Sequence, residues 1–184
     1  MKKVKVLWLL LAIFIFSFGL AKAAPSEKEL LSKVSEYFEY ISNRDFENAS
    51  KLFYYPDHYS HKFLLKDMDG VAGMLAILDD EFGNLERYVL YENSDYSVWQ
   101  IGVFGGDVSD FTKDMPKTIK LIYEAQFEHE NNVYIFFYFL DNNELLKIRA
   151  MSYALHSNQP INEVKYTKIM ERLSSFVIES INNK

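Results

Sequence analysis

The spacing of hydrophobic and polar residues changes along this chain from a helical period to a strand period. Between residues 27 and 82, apolar side chains recur three or four positions apart, as on the buried face of an amphipathic helix. From residue 87 to 155, runs of β-branched and aromatic residues are separated by Asn- and Asp-rich turns, which is typical of strands. A last helical pattern covers residues 162–181. This order predicts an α+β fold, with N-terminal helices packed on a curved antiparallel sheet and an extra C-terminal helix.

Three helices are predicted in the first half of the chain. Ser26 and Glu29 form the sequence pattern of a capping box, and Asp45 is a suitable N-cap for a short second helix. The third helix is predicted over residues 67–82, with Gly83 as its stop. The predicted buried residues are Leu30, Leu31, Val34, Tyr37, Phe38 and Ile41 in the first helix, Phe46, Ala49, Leu52 and Phe53 in the second, and Val71, Met74, Leu75, Leu78 and Phe82 in the third.

Three runs near the end of the chain predict an antiparallel meander, because short Asn-containing turns connect them. They cover residues 118–129, 133–140 and 144–155. The first run alternates between two faces, whereas the second is apolar on both faces, as expected of a central strand that is covered on each side. Two further strands are predicted over residues 87–91 and 96–104.

The first 23 residues have the pattern of a secretory signal peptide. Lysines at positions 2, 3 and 5 precede an apolar run over residues 6–20, and Ala21-Lys22-Ala23 supplies the small residues of a cleavage site. The apolar run is shorter than the roughly 20 residues that a membrane-spanning helix needs. We therefore expect cleavage near Ala23/Ala24, a single domain over residues 24–184, and a periplasmic or secreted location.

Composition narrows the classes of partner. The chain has 20 basic and 26 acidic residues, and the four lysines of segment 1–23 leave 16 basic residues in the exported part, a net charge of −10. That charge argues against nucleic acid and anionic membrane surfaces as partners. The chain has no cysteine, which excludes disulfides, a Cys nucleophile and the lipid anchor of a bacterial lipoprotein.

The order of elements resembles the nuclear-transport-factor-2-like superfamily, the cone-shaped α+β fold also used by ketosteroid isomerase and polyketide cyclases. The matching features are the amphipathic first helix, the segment 43–49 (NRDFENA) and the closing strands, so the resemblance covers residues 27–156. It is greatest to small exported bacterial members without an assigned activity. The resemblance implies a curved sheet wrapped round a helix with an apolar pocket, and sheets that often pack face to face in homodimers. It implies no particular chemistry, because this fold hosts enzymes and binding modules alike.

Aromatic residues of the strands are candidates for the lining of that pocket. The alternative is that they simply fill the core, as aromatic strand residues usually do. The six candidates are Trp99, Phe104, Tyr123, Phe136, Tyr138 and Tyr153.

Two groups of polar residues are candidate metal sites. His58 and His61 lie three positions apart beside Asp57, but Pro56 indicates a loop and no second ligand group follows at a telling spacing. The loop over residues 105–115 has three aspartates without the spacing of a calcium loop. We therefore predict no metal and no cofactor.

An enzyme would need a carboxylate or His held in an apolar pocket, where burial raises the pKa of a carboxylate. The candidates for this carboxylate or His are Asp57, Glu124, Glu128 and His129. None of them matches a catalytic motif, so no catalytic residue is assigned. The predicted function is that of an exported, non-catalytic protein that binds a small apolar ligand or a protein partner through a cone-shaped pocket. The alternatives are an isomerase, dehydratase or cyclase that uses a buried carboxylate, and a homodimer without a ligand.

Overall fold

The computed structural model describes residues 25–55, 68–91, 98–104, 118–140, 146–156 and 160–182. These ranges form helices and an antiparallel sheet, and the predicted α+β class is confirmed. The helices are α1 (Glu27–Ser42), α2 (Phe46–Ser50), α3 (Met68–Phe82) and α4 (Pro160–Asn182). The strands are β1 (Leu85–Leu90), β2 (Val98–Phe104), β3 (Thr118–Phe127), β4 (Glu130–Leu140) and β5 (Ile148–His156).

The five strands lie in the order β1-β3-β4-β5-β2. The predicted meander is confirmed, because β3 pairs with β4 and β4 pairs with β5, both antiparallel. β1 and β2 follow each other in sequence, yet they lie at opposite edges of the sheet. Each of the four strand pairs contains a register shift, and such irregularities bend strands and increase their twist. The sheet is accordingly curved and not closed.

The predicted helix caps are present. The Ser26 backbone N–H donates to Glu29 Oε2 over 2.8 Å, and the Ser26 hydroxyl accepts from the Glu29 backbone N–H, which completes the capping box. Asp45 Oδ1 accepts a hydrogen bond from the Asn48 backbone N–H over 3.2 Å. α3 ends at Phe82, and Gly83 follows with a φ of +78°, a conformation that costs glycine little.

The main core lies between the helices and one face of the sheet. All predicted buried residues of the first three helices belong to it except Leu31 and Phe46, which are half-buried against it. Aromatic rings meet edge to face at its centre, with Tyr37 5.6 Å from Phe38 and 5.2 Å from Phe137 between ring centroids. Each such pair adds about 0.5–1.5 kcal/mol beyond the area it buries.

β4 is buried on both faces, as its sequence predicts. Its odd-numbered residues from 133 to 139 belong to the main core. Tyr134 and Phe136 point to the opposite side and form a second cluster with Ile122 and Ala154, here called the outer cluster. Phe136 has no exposed surface, so the central strand is covered on each side.

α4 packs closely against α3 through a glycine. From the sequence, Gly73 weakens the prediction of α3, since glycine in a helix interior costs about 1 kcal/mol relative to alanine. In the structure a Cβ atom at this position would lie 2.2 Å from Cζ of Phe176 in α4. Ile169 and Leu173 of the same helix enter the main core. The glycine therefore makes room for a ring of the C-terminal helix.

We expect Gly73→Ala to have opposite effects in two backgrounds. With Phe176 present it should lower the free energy of unfolding by about 1 kcal/mol, because the cost of overpacking, about 1–3 kcal/mol, exceeds the gain in helix propensity. In a Phe176→Ala background the same change should stabilise the protein by up to about 1 kcal/mol. Urea unfolding of the four proteins measures both effects, and additive effects would contradict the close packing.

Candidate functional site

Arg44 has a backbone conformation that arginine rarely adopts. Its φ is +54°, in the left-handed region. The Arg44 N–H donates to the Ile41 carbonyl over 3.0 Å and the Asp45 N–H donates to the Tyr40 carbonyl over 2.9 Å, which is the Schellman pattern at the end of α1. Glycine is the usual residue at this position, and another residue costs on the order of 1 kcal/mol or more. A side-chain role for Arg44 would account for that cost.

The Arg44 side chain forms an ion pair with Asp79 in the last turn of α3. Arg44 Nη2 lies 2.6 Å from Asp79 Oδ2, and the Asp79 side chain is 3% exposed. The other oxygen, Oδ1, is buried without a hydrogen-bond partner in the described part of the chain. Burial raises the pKa of Asp79, and the nearby Arg44 charge lowers it by less. Asp79 is therefore a desolvated carboxylate whose charge is only partly compensated.

Two buried phenols lie near Asp79. Tyr37 Oη of α1 and Tyr153 Oη of β5 are 2.8 Å apart and form a hydrogen bond. Burial raises the pKa of both hydroxyls, and the Asp79 charge raises the pKa of Tyr153 further. Both phenols therefore stay neutral near pH 7. We call Asp79, Tyr37 and Tyr153 the buried polar centre, and the exposed Arg44 side chain pairs with it.

The residues after Asp79 fix α4 to the end of α3. Glu81, 7% exposed, accepts hydrogen bonds from Lys168 Nζ over 2.9 Å and from Arg172 Nη1. Arg172 Nη2 also lies 3.2 Å from Asp80 Oδ2. Acidic residues at a helix C-terminus oppose the helix dipole, so these cations offset an unfavourable arrangement. Burial raises the pKa of Glu81, but the hydrogen bonds and charges of Arg172 and Lys168 together lower it by more.

The buried polar centre contains the groups that acid–base chemistry requires. A carboxylate with a raised pKa can accept a proton near neutral pH, and a neutral phenol can donate a hydrogen bond to a developing negative charge. Such a combination is a functional-site candidate, and structural ion pairs also produce it. Here one Asp79 oxygen is paired with Arg44, and Tyr37 and Tyr153 are enclosed by the main core. The arrangement thus also suits a structural role.

A second candidate site is the edge strand β1. Tyr88, Val89 and Leu90 are 37%, 49% and 40% exposed, and we call these three residues the edge surface. Tyr88 and Leu90 pair with core residues of β3 and so lie on the helix side, whereas Val89 pairs with Glu124 on the opposite side. Successive exposed apolar residues on an edge strand are typical of a strand that another chain covers.

The Tyr88 ring is held in place by contacts with rings of the main core. It stacks on Phe38 with ring centroids 3.8 Å apart and an interplanar angle of 16°. The Tyr123 ring lies 6.0 Å away, and burial, with the adjacent Tyr88 hydroxyl, raises the pKa of Tyr123 to about 12. The edge surface therefore contains a positioned aromatic ring.

The four predicted pocket residues whose side chains the structure describes lie on both sides of the sheet. Tyr123 and Tyr153 lie on the helix side, where their rings contact other core rings. Tyr123 lies 5.3 Å from Phe38 and Tyr153 lies 5.5 Å from Phe82 between centroids. These are the contacts that the core-filling alternative expects.

The other four pocket candidates are in β4 and β2. Phe136 belongs to the outer cluster, and Tyr138 packs against it, on the side of the sheet opposite to the helices. Trp99 and Phe104 are in β2, and their side chains lie outside what the structure describes. A ligand pocket lined by these residues stays a prediction.

The candidate acid–base residues that the structure describes are Glu124, Glu128 and His129. Glu128 and His129 are exposed in the β3–β4 turn, and Glu128 accepts a hydrogen bond from Asn84 Nδ2 over 2.9 Å. Glu124 is half-buried on the face of the outer cluster. Segments 57–61 and 105–115 lie outside the described residues. Within the described ranges, no three His, Asp or Glu side chains are grouped to hold a metal.

Sequence reasoning missed Asp79 and Arg44, although each leaves a signal. Asp79 is four residues after Leu75 and three before Phe82, so helical spacing places it on the apolar face of α3. Arg44 occupies the position after a helix end where glycine is usual.

Comparison with known proteins gives no family assignment. No family model matches the chain, and neither a curated protein nor a solved structure matches it. Among the described helices, none combines the length and the apolar character needed to cross a membrane.

We expect Asp79 to make the protein less stable as pH rises. Its pKa is higher in the folded than in the unfolded state, so the folded state binds the proton more tightly. The free energy of unfolding should fall, relative to that of Asp79→Asn, as pH rises from about 4, the pKa of an unfolded Asp, through the folded-state pKa. Urea unfolding of both proteins across this range measures the difference. Asp80→Asn, on the exposed side of the same turn, is the control, and a difference that is constant with pH would contradict the assignment.

The two buried phenols should behave as one unit. Tyr37→Phe or Tyr153→Phe alone should cost about 1–3 kcal/mol, because each leaves the remaining hydroxyl buried without its partner. The double variant should cost much less than the sum of the single variants. Thermal or urea unfolding measures this coupling, with Tyr88→Phe as an exposed control. Additive costs would show that the 2.8 Å contact carries no energy.

Proposed function

We propose that this protein is an exported, non-catalytic binding protein that holds a protein partner at the β1 edge. The observation that carries the proposal is the edge surface, in which three successive large apolar residues are exposed on a strand at the margin of the sheet. Exposed apolar edge strands are aggregation hazards that proteins usually cover or charge. A surface of this kind is best explained by a partner that covers it.

The geometry favours an extended polypeptide as that partner. Within the described residues, β1 pairs only with β3, which leaves the outward side of its backbone for a further strand. Strand addition obtains affinity from backbone hydrogen bonds and specificity from alternate side chains. Because Tyr88 is already stacked on Phe38, little side-chain freedom is lost on binding.

A small apolar ligand is supported less well. The helix side of the sheet is filled, in the described part of the chain, by contacts among rings such as Tyr37, Phe38 and Phe137. Those contacts are the protein's own core, and a ligand there would have to displace them.

Export is supported by the signal-like pattern of residues 1–23 and by the composition of the rest of the chain. A stable core that uses no cysteine suits an oxidising compartment, because there is no thiol to oxidise. We place the processed protein in the periplasm or outside the cell.

A pocket enzyme that uses a buried carboxylate is the second candidate. The observation in its favour is Asp79 Oδ1, which has no hydrogen-bond partner among the described residues, together with the Asp79 charge acting on the neutral phenol of Tyr153. It ranks second because the Arg44 guanidinium covers the other oxygen and the phenol is enclosed by the main core. A substrate would therefore need part of the core to open.

A photo-crosslinking residue at Val89 should form discrete adducts with a protein partner in the cells that produce this chain. The same residue at Val164, an apolar position of α4 that is 71% exposed, is the matched control and should form none. The expected difference arises because only position 89 lies in the edge surface. Mass spectrometry of the adducts identifies the partner. Equal labelling at both positions, or none at position 89, would overturn the proposal.

A further inference from the structure

We infer that the partner at the β1 edge is a second copy of this chain, paired antiparallel, β1 to β1, about a twofold axis at Tyr88. This inference rests on the proposed function and specifies its partner. It would join two five-stranded sheets into one continuous sheet of ten strands. In this arrangement, each copy covers the edge surface of the other.

The faces of β1 restrict the register. Directly opposed residues of neighbouring strands share a face of a sheet. In β1 the helix side carries Tyr88 and Leu90, and the opposite side carries Arg87 and Val89. A twofold pairing satisfies this rule whenever a residue lies on the axis, and residues 88 and 89 are the two central positions of the regularly paired part of β1. The register shift between Leu85 and Arg87 ends regular pairing at the start of the strand.

Charge selects between the two registers. With Tyr88 on the axis, Arg87 of one copy lies in the same row as Glu124 of the other copy, two strands away. Neighbouring strands are about 4.8 Å apart, so the two Cα atoms are about 10 Å apart, within reach of extended Arg and Glu side chains. With Val89 on the axis, both Glu124 residues would lie in one row and Arg87 would face neither.

The contact would join Arg87 and Glu124. Within the described residues, neither Arg87 nor Glu124 forms an ion pair within 4.0 Å. Two symmetric Arg87–Glu124 contacts offset part of the repulsion between two acidic copies. The Tyr88-centred register also places the two Tyr88 side chains next to each other, where aromatic cross-strand pairs stabilise a sheet.

Sedimentation equilibrium of the processed chain tests the inference. The wild type should show a monomer–dimer equilibrium. Val89→Lys should raise the dissociation constant at least about tenfold, equivalent to about 1.4 kcal/mol. Val164→Lys is the control for an added charge at an exposed apolar position, and it should leave the constant unchanged. Unfolding curves of both variants confirm that each is folded.

Charge reversal tests the register. Arg87→Glu alone and Glu124→Arg alone should each weaken the dimer, and the double variant should restore it. Because the chain has no cysteine, single cysteines give a second readout. In air-saturated buffer, where O2 takes up the two electrons and two protons that the thiols lose, Tyr88→Cys should form a disulfide-linked dimer, since residues opposed at the axis have Cα atoms about 4.5–5.5 Å apart, a separation that a disulfide spans. Preferential crosslinking of Val89→Cys would overturn the Tyr88-centred register.

The outcomes separate this inference from the function on which it rests. A chain that stays monomeric at every concentration its solubility allows overturns the second copy as partner. If crosslinks from Val89 in cells then lead to a different protein, the proposed function stands and the self-pairing falls. If they lead to nothing, both fall. Adducts with twice the mass of the chain support both.

Discussion

The fold depends on how the Tyr37 side chain joins α1 to the sheet. Its ring meets Phe53 after α2 and Phe137 of β4 edge to face, and its hydroxyl bonds to Tyr153 of β5. Three separate parts of the chain thus converge on one helical residue. A phenol is suited to this position because its ring needs apolar neighbours and its hydroxyl needs one polar partner. The second phenol supplies that partner without bringing a charge into the core.

Much of the fold follows from local sequence, and the parts that do not have physical reasons. The capping box at Ser26, the apolar stripe of α1 and the two-sided burial of β4 depend on neighbours within a few residues, so their patterns are readable. The position of β1 depends on its pairing with Tyr123 and Ala125, far along the chain, and nothing in its own residues specifies an edge. The four pocket candidates whose side chains are described lie on both faces of the sheet for a related reason. An aromatic residue on a strand reveals that it will be buried, but alternation alone does not say which side faces the helices.

The candidate site was missed where local rules conflict. An aspartate on the apolar face of a helix and an arginine at a glycine position each look unfavourable alone, and the structure pairs them. Such conflicts are expected where tertiary contacts or function override local preference. The acidic end of α3 is a further case, because its charges oppose the helix dipole and are compensated by residues of α4. A sequence pattern records each of these residues separately, whereas their compatibility exists only in three dimensions.

The attachment of α4 has a consequence for how the molecule responds to its surroundings. Lys165 pairs with Glu130 over 2.7 Å, and Lys168 and Arg172 pair with the end of α3, so charged contacts attach α4 in addition to its apolar ones. Dissolved ions screen exposed charges such as Lys168 and the Arg172–Asp80 pair more than buried ones, and they leave aromatic packing largely unaffected. A rise in salinity would therefore loosen the last helix before it disturbed the sheet. The last helix and the sheet therefore differ in their tolerance to salt.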